Sequence, residues 1–344
     1  MDESLHNRLR SLIEGKLVLV TGGTGSIGSE IVRQLAPLGA KQLRVMSRDE
    51  FKQSKMRYAY RDFENLRFLM GDIRDLDRLH RAMEGVNIVF HAAALKRIES
   101  TEYDPLEAVK TNVMGTQNII TASLHNPDTN RVVAISTDKA VNVTTTMGAT
   151  KLLAERLITW ASFYRRQPHK TFCSVRFGNV LNSRGSVIPI WQEQIRNGGP
   201  LTLTHPEMRR FFMSIPNAVE LTLKAAVYAE GGEIFILRMR TICIRDLAEI
   251  LVEEYATKVG RSPKEIEIKV TGLTPGEKLD EELIASGEMD RTFRVDDEMA
   301  VIMSTPRLAD NPYTPLTDSE GYLTGAEPMN KEDLRAYLKE EGVL

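Results

Sequence analysis

Leu17-Val18-Leu19-Val20-Thr21-Gly22-Gly23-Thr24-Gly25-Ser26-Ile27-Gly28 is the stretch that decides the fold. A short apolar run leads straight into closely spaced glycines, and a helix-period segment, Ser29–Leu38, follows. Gly23, Gly25 and Gly28 satisfy G-x-G-x-x-G, and Gly22, Gly25 and Gly28 also satisfy G-x-x-G-x-x-G. Glycine suits such a turn because the backbone needs unusual dihedrals and must approach a pyrophosphate closely. The helix amino terminus behind it offers unpaired N–H donors and partial positive charge. Glycine-rich turns are common, but one placed between a first strand and a first helix marks a dinucleotide site. Gly22, Thr24, Gly25, Ser26, Ile27 and Gly28 are therefore expected to bind a cofactor.

Working outward, further strands are expected at Leu43–Met46, Arg67–Met70, Ile88–His91, Val132–Ser136 and Phe172–Arg176, separated by amphipathic helices. Continuous apolar strands spaced by helices imply βαβ units and a parallel sheet covered on both faces. The fold class expected is α/β, a doubly wound parallel (Rossmann) sheet. After Asn179 the sequence is punctuated by Pro and Gly, then shows a helix (217–228), a strand (233–237), a second helix (244–255) and another strand (265–270). The domain reading is residues 1–180 for the nucleotide domain and 181–310 mainly for a smaller α/β substrate lobe, with some segments returning to the first domain. Residues 311–344 form a tail ending in a charged helix.

The chain has 344 residues, 42% hydrophobic and 27% charged, with 45 basic against 47 acidic side chains. That composition excludes disordered and collagen-like classes, and a formal charge of −2 argues against nucleic-acid binding by bulk electrostatics. Two cysteines, Cys173 and Cys243, fit a reducing compartment, and no Cys/His spacing suggests a metal. Apolar runs fall short of the ~18–20 residues of a spanning helix. The first fourteen residues carry Asp2, Glu3, Arg8, Arg10 and Glu14 and no apolar h-region. A cytoplasmic protein without a membrane segment is expected.

The end of the second strand bears on cofactor choice, because a carboxylate there binds the ribose of NAD. Here Ser47 and Arg48 occupy that place, and Arg48 with Lys52 suits a 2′-phosphate, which favours NADP over NAD. The alternative is that both are solvated charges and Asp49 takes the ribose. Asp72 and Ile73 follow the third strand, beside the adenine; Ala92, Ala93 and Ala94 follow the fourth, where small residues let chain and cofactor pass, or simply pack tightly. Ser136-Thr137-Asp138-Lys139 follows the fifth strand, at the crevice end. Two hydroxyls and two opposite charges can supply donor, acid and base; the alternative is a capping cluster.

Together with Thr111-Asn112-Val113, Gly148-Ala149-Thr150-Lys151, Arg176-Phe177-Gly178-Asn179-Val180 and Pro275-Gly276-Glu277-Lys278, these motifs resemble the extended short-chain dehydrogenase/reductase superfamily. Within it they look like the UDP-N-acetylglucosamine 4,6-dehydratases of polysaccharide biosynthesis. The resemblance implies C4 oxidation, loss of water across C5 and C6, and hydride return to C6. It implies Asp138 as acid at C6, Lys139 as base at C5, Thr137 on the C4 oxygen, and Lys151 and Asn112 at the cofactor. Met147 stands where the superfamily has its catalytic Tyr, as in the branch with an MGATK run; Asp138, through Thr137 or a water, is then the expected C4 base. Lys96 implies a sugar contact, Asn179, Ser186, Val187 and Pro189 a uridine site, Thr202 a further substrate contact, Arg210 a diphosphate contact and Glu277 a ribose contact. Arg209 stands where the family more often has Thr, and Thr274 where it has Arg. A UDP-N-acetylhexosamine substrate and a homo-oligomer are expected. A C4 epimerase and a non-catalytic NADP-binding regulator are the alternatives.

Overall fold

Six apolar runs of the first half are strands, each within a residue of the stretch read from the sequence: β1 Leu17–Thr21, β2 Gln42–Ser47, β3 Leu66–Met70, β4 Ile88–His91, β5 Arg131–Ile135 and β6 Thr171–Arg176. The computed structural model describes residues 3–163, 169–304, 312–317, 322 and 327–344. Its later strands are β7 Asn179–Val180, β8 Leu201–Leu203, β9 Arg209–Met213, β10 Ile234–Leu237, β11 Arg240–Cys243, β12 Ile268–Val270, β13 Thr292–Arg294, β14 Met299–Ile302 and β15 Thr314–Pro315.

Ten strands form one sheet in the order β15-β13-β14-β10-β6-β5-β4-β1-β2-β3. From β10 to β3 neighbours run parallel, and an antiparallel edge follows on the other side of β10. The strand order reverses at β1, which lies between β4 and β2. Ligands bind outside the carboxyl ends of strands at such a switch point, and both the glycine loop and the segment after β4 leave the sheet there.

Alternation along β1 sends Val18 and Val20 into one apolar cluster and Leu19 into the other. The first cluster is covered by Ser26–Leu35, Ile215–Tyr228 and Glu3–Ile13, the second by Leu76–Met83, Gly115–His125 and Thr146–Ala161. The amino-terminal helix was not read from the sequence; it buries Leu5, Leu9 and Ile13 at the spacing of one helical face. Ile234–Leu237, read among the elements after Asn179, is a strand of the large sheet, paired to β6.

Two small sheets, β11-β9-β7 and β12-β8, build the second lobe. Its core contains Trp191, Leu203, Phe212 and Leu247, together with Leu334 and Leu338 from the terminal helix Lys331–Glu340. Cys173 and Cys243 are free, and burial pushes the Cys173 thiol well up, leaving it unreactive. Among the described residues no helix is long and apolar enough to cross a membrane, and no cluster of His, Cys, Asp and Glu is placed to hold a metal.

Candidate active site

The glycine loop is shaped by close approach. Gly22 has φ +65, and a side chain there would meet Ala93 N at 2.7 Å, so the loop lies flush against the segment after β4. A Cβ on Gly28 would run into the carbonyl of Gly22, which packs the first helical turn onto the loop. The helix Ser26–Leu35 has Gly25 as its N-cap and no side-chain cap. By contrast, Asp49, Asp75, Thr145 and Ser214 cap helices with side-chain oxygens. Open N–H donors and a cradle that excludes Cβ atoms fit the phosphates of a dinucleotide.

At the end of β2 the carboxylates are occupied. Asp49 Oδ1 accepts from Lys52 N at 2.9 Å, and its other oxygen pairs with the Lys52 ammonium. Asp72 binds Arg74 at 2.7 Å and Arg48 at 3.4 Å; burial opposes its charge, but these cations hold its carboxyl below the usual range. Thr24 donates to Ser47 Oγ at 2.9 Å, joining the glycine loop to β2. Ile73 is buried, its methyl end against Gly115, so its side chain belongs to the core. At the switch point His91 bridges Thr21 (2.8 Å) and Thr116 (3.1 Å); burial brings its pKa down to about 3, so it stays neutral.

Asn112 lies in a π-helical turn, Val109–Met114. Its amide oxygen accepts from Leu95 N (2.8 Å), and its nitrogen donates to Leu95 O and Thr150 Oγ1 (both 3.0 Å). The side chain expected at the cofactor thus clamps the loop after β4 onto the helix Thr146–Ala161. Lys151, on that helix, donates to Ile135 O at 2.5 Å, and burial lowers its pKa to about 8 against the pull of Glu155. Met147 is buried one turn earlier.

Beyond β5 the chain continues against β6, Asp138 N donating to Phe177 O at 3.1 Å. Asp138 is fully buried. Its Oδ1 accepts from Thr137 Oγ1 at 2.8 Å and from Lys139 Nζ at 3.0 Å, while Oδ2 has no partner. Lys139 Nζ also reaches Asn179 Oδ1 at 3.2 Å and stands 3.8 Å from Glu281 Oε1. The motif after β6 now has a physical reading. Arg176 is buried between Glu155 and Glu288, each 2.8 Å away; burial opposes its charge, yet the two carboxylates hold it firmly protonated. Phe177 supplies the carbonyl for Asp138, and Asn179 holds Lys139. Gly178 must be glycine, because a Cβ would lie 2.5 Å from Phe211 Cβ and 3.0 Å from Asp138 Oδ2.

A cavity of about 150 Å³ opens beside Lys139 and Asn179, bounded by Arg210, Glu277, Lys278 and Glu281. Four residues singled out in the sequence therefore meet there from widely separated positions. The turn carrying Glu277 docks through Thr144 Oγ1 to Gly276 O (2.6 Å) and Lys278 Nζ to Val141 O (2.8 Å). Arg210 donates to the carbonyls of Lys278 and Leu279, supporting this turn, and Arg209 is held by Asp280. Glu277 accepts from Thr274 within its own turn. Ser186 has a buried hydroxyl without a partner, at the start of the helix Val187–Arg196 that carries Pro189. Thr202 sits on β8 with its hydroxyl bound by Gln194, outside the residues that line this cavity. Lys96 is not among the residues that line the cavity; desolvation and the charges of Arg97 and Arg184 lower its pKa. Glu281 and Lys278 belong to the site but were missed as candidates for its chemistry; Glu281 lies 142 positions from Lys139 and no local pattern marks it.

A parallel sheet with a glycine loop at its switch point, and an acid–lysine pair beyond β5, defines a Rossmann-type fold of the extended short-chain dehydrogenase/reductase kind. The chain belongs to the family described as polysaccharide biosynthesis protein, whose model matches residues 18–303. It is 47% identical over 336 residues to an uncharacterized membrane protein of Methanocaldococcus jannaschii, covering 96% of this chain and 98% of that one. It is 40% identical over 278 residues to a UDP-glucose 4-epimerase of Rickettsia rickettsii, covering 80% and 79%. Among solved structures, Pen from Bacillus thuringiensis superposes with a TM-score of 0.90 at 40% identity, covering 96% of this chain and 99% of that one.

Proposed function

We propose that the chain is an NADP-dependent enzyme that converts UDP-N-acetylglucosamine to a UDP-4-keto-6-deoxy-N-acetylhexosamine. The observation that carries the reading is the single buried carboxylate oxygen, Asp138 Oδ1, shared by the Thr137 hydroxyl and the Lys139 ammonium. A 4,6-dehydration needs three proton operations, and this arrangement supplies each. The C4 hydroxyl passes its proton through Thr137 to Asp138, which makes good the absence of a phenol at Met147. Asp138, now a neutral acid, gives that proton to the hydroxide leaving C6. Lys139 takes the C5 proton and later returns it to C5. The cycle balances: the water lost combines the C6 hydroxide with the C4 hydroxyl proton, and both side chains end as they began.

Lys139 must act as an amine, so its own proton has to go elsewhere before C5 is attacked. Glu281, 3.8 Å away in the cavity wall, is an acceptor within reach of a small side-chain movement. A nicotinamide dinucleotide held by these residues would supply the hydride acceptor for C4 and the hydride donor for C6. The glycine cradle suits its diphosphate, and Lys151 is assigned to its ribose. The neutralised state of Asp49 and Asp72, with Arg48 half exposed beside them, favours a 2′-phosphate over a bare ribose diol. Asn179, Ser186, Val187, Pro189, Arg210 and Glu277 are assigned to the nucleotide part of the substrate, in a lobe formed mainly by residues 181–310. A homo-oligomer is also proposed, because Leu106, Met114, Leu153 and Trp160 expose apolar surface around the helix Thr146–Ala161.

Incubation with UDP-N-acetylglucosamine in deuterated water, followed by NMR, tests the reading. A 4-keto-6-deoxy product labelled at C5 is expected; recovery of unchanged sugar refutes it. The 40% identical UDP-glucose 4-epimerase supports a second reading, C4 epimerisation. That outcome gives a product with oxygen still at C6 and no deuterium at C5.

A further inference from the structure

Three cations gather where the second lobe meets the glycine loop: Lys96 and Arg97 after β4, and Arg184 from the segment after β7. No carboxylate among the described residues forms an ion pair with any of them, unlike Arg176, Arg209 or Lys224 elsewhere in the molecule. Arg184 is already on the first lobe. Its guanidinium donates to the Thr24 carbonyl, and its backbone N–H donates to Ser26 Oγ at 3.2 Å. The next residue, Gly185, has φ +71, and a Cβ there would lie 2.7 Å from Arg97 Nη2. The backbone is therefore pressed against the Arg97 guanidinium, which brings the two arginines together beside the uncapped helix start at Gly25.

Guanidinium groups without an ion-paired carboxylate, converging on open N–H donors, match a ligand that carries adjacent negative charges, and arginine binds phosphate oxygens through paired hydrogen bonds. We propose that Arg184 and Arg97 form a clamp, split between the two lobes, for the diphosphate bridge of the dinucleotide. The second lobe is then seated on the first partly by the cofactor itself. This rests on the dinucleotide reading of the glycine loop. The dinucleotide is chosen over the sugar nucleotide because Arg184 contacts Thr24 and Ser26, within that loop.

Calorimetric titration of the full chain with ADP-ribose and, separately, with UDP tests the proposal. Arg184→Gln and Arg97→Gln should each weaken ADP-ribose binding by about tenfold, the worth of one charge-assisted hydrogen bond. UDP affinity should stay within twofold of the parent's. Both side chains are exposed, and an unchanged melting temperature confirms that each variant is folded. Arg184→Lys should recover part of the loss. Unchanged ADP-ribose binding in both variants overturns the clamp, as does a loss confined to UDP. If the parent itself binds neither ADP-ribose nor its 2′-phosphate, the dinucleotide reading fails, and the clamp with it.

Discussion

Replacing Gly178 by alanine adds one methyl group at a tight point behind the acid–lysine pair. The new carbon would sit 2.5 Å from Phe211 Cβ and 3.0 Å from Asp138 Oδ2, whereas ordinary contacts begin near 3.4 Å. Relief therefore needs about 0.9 Å on the phenylalanine side and about 0.4 Å on the carboxylate side (3.4 less each distance). Phe211 is fully buried on β9, hydrogen-bonded between β7 and β11, and has little room to retreat. Asp138 must then yield, and with it the oxygen shared by Thr137 and Lys139. Overpacking of this kind costs about 1–3 kcal/mol of stability. A misplacement of about 1 Å at a reacting group costs on the order of 100-fold in rate, so the shift of about 0.4 Å at the carboxylate should cost on the order of tenfold. The glycine loop is untouched, so cofactor affinity should not change. Steady-state turnover of UDP-N-acetylglucosamine, a thermal melt and a cofactor titration on one preparation measure all three. Turnover within threefold of the parent, with the protein folded and loaded, would refute the claim that Gly178 leaves room for the carboxylate.

Other outcomes follow from buried groups. Arg176→Met strands Glu155 and leaves Glu288 only the longer contacts to Arg156 and Arg291, and denaturant unfolding should register a loss of about 3–5 kcal/mol. Lys151 has its pKa lowered from 10.5 to about 8 by burial, so the folded chain sheds that proton before the unfolded one does. Its penalty of roughly 3.5 kcal/mol (10.5 less 8, at ~1.4 kcal/mol per pH unit) is fully present below pH 8 and relieved as pH rises towards 10.5. Stability curves of the parent and Lys151→Met should converge over that interval; parallel curves would contradict it. Leu334→Ala opens a cavity in the second lobe, where Leu334 is fully buried, and should cost about 2–5 kcal/mol in chemical denaturation.

The large sheet was legible because parallel strands buried on both faces read as unbroken apolar runs, as Leu17–Val20 and Ile88–Phe90 do. Its completion was harder to read. Ile234–Leu237 lies nearly sixty residues beyond its partner β6, past the elements of a second lobe, and nothing local says which sheet an apolar strand joins. Asp138, Lys139, Asn179, Arg210 and Glu277 were legible as motif residues, and the fold brings them around one cavity and its wall. Asn112 shows the limit of such reading. A motif position can act on the backbone beside the site, and only the fold reveals that its amide is already engaged. Glu281 and Arg184 had no periodic or spacing signal, since their significance comes from neighbours more than a hundred residues away.

The route of the chain through the large sheet also bears on synthesis. When the first 176 residues have left the ribosome, six parallel strands can already pair, but the outer edge of β6 stays open until Ile234–Leu237 arrives. β14 and β13 come later still, behind most of the second lobe, whose last helix follows them. An apolar strand edge left waiting on a nascent chain is a template for unwanted pairing. Slow translation between residues 176 and 302 thus prolongs the interval in which that edge is open to unwanted pairing.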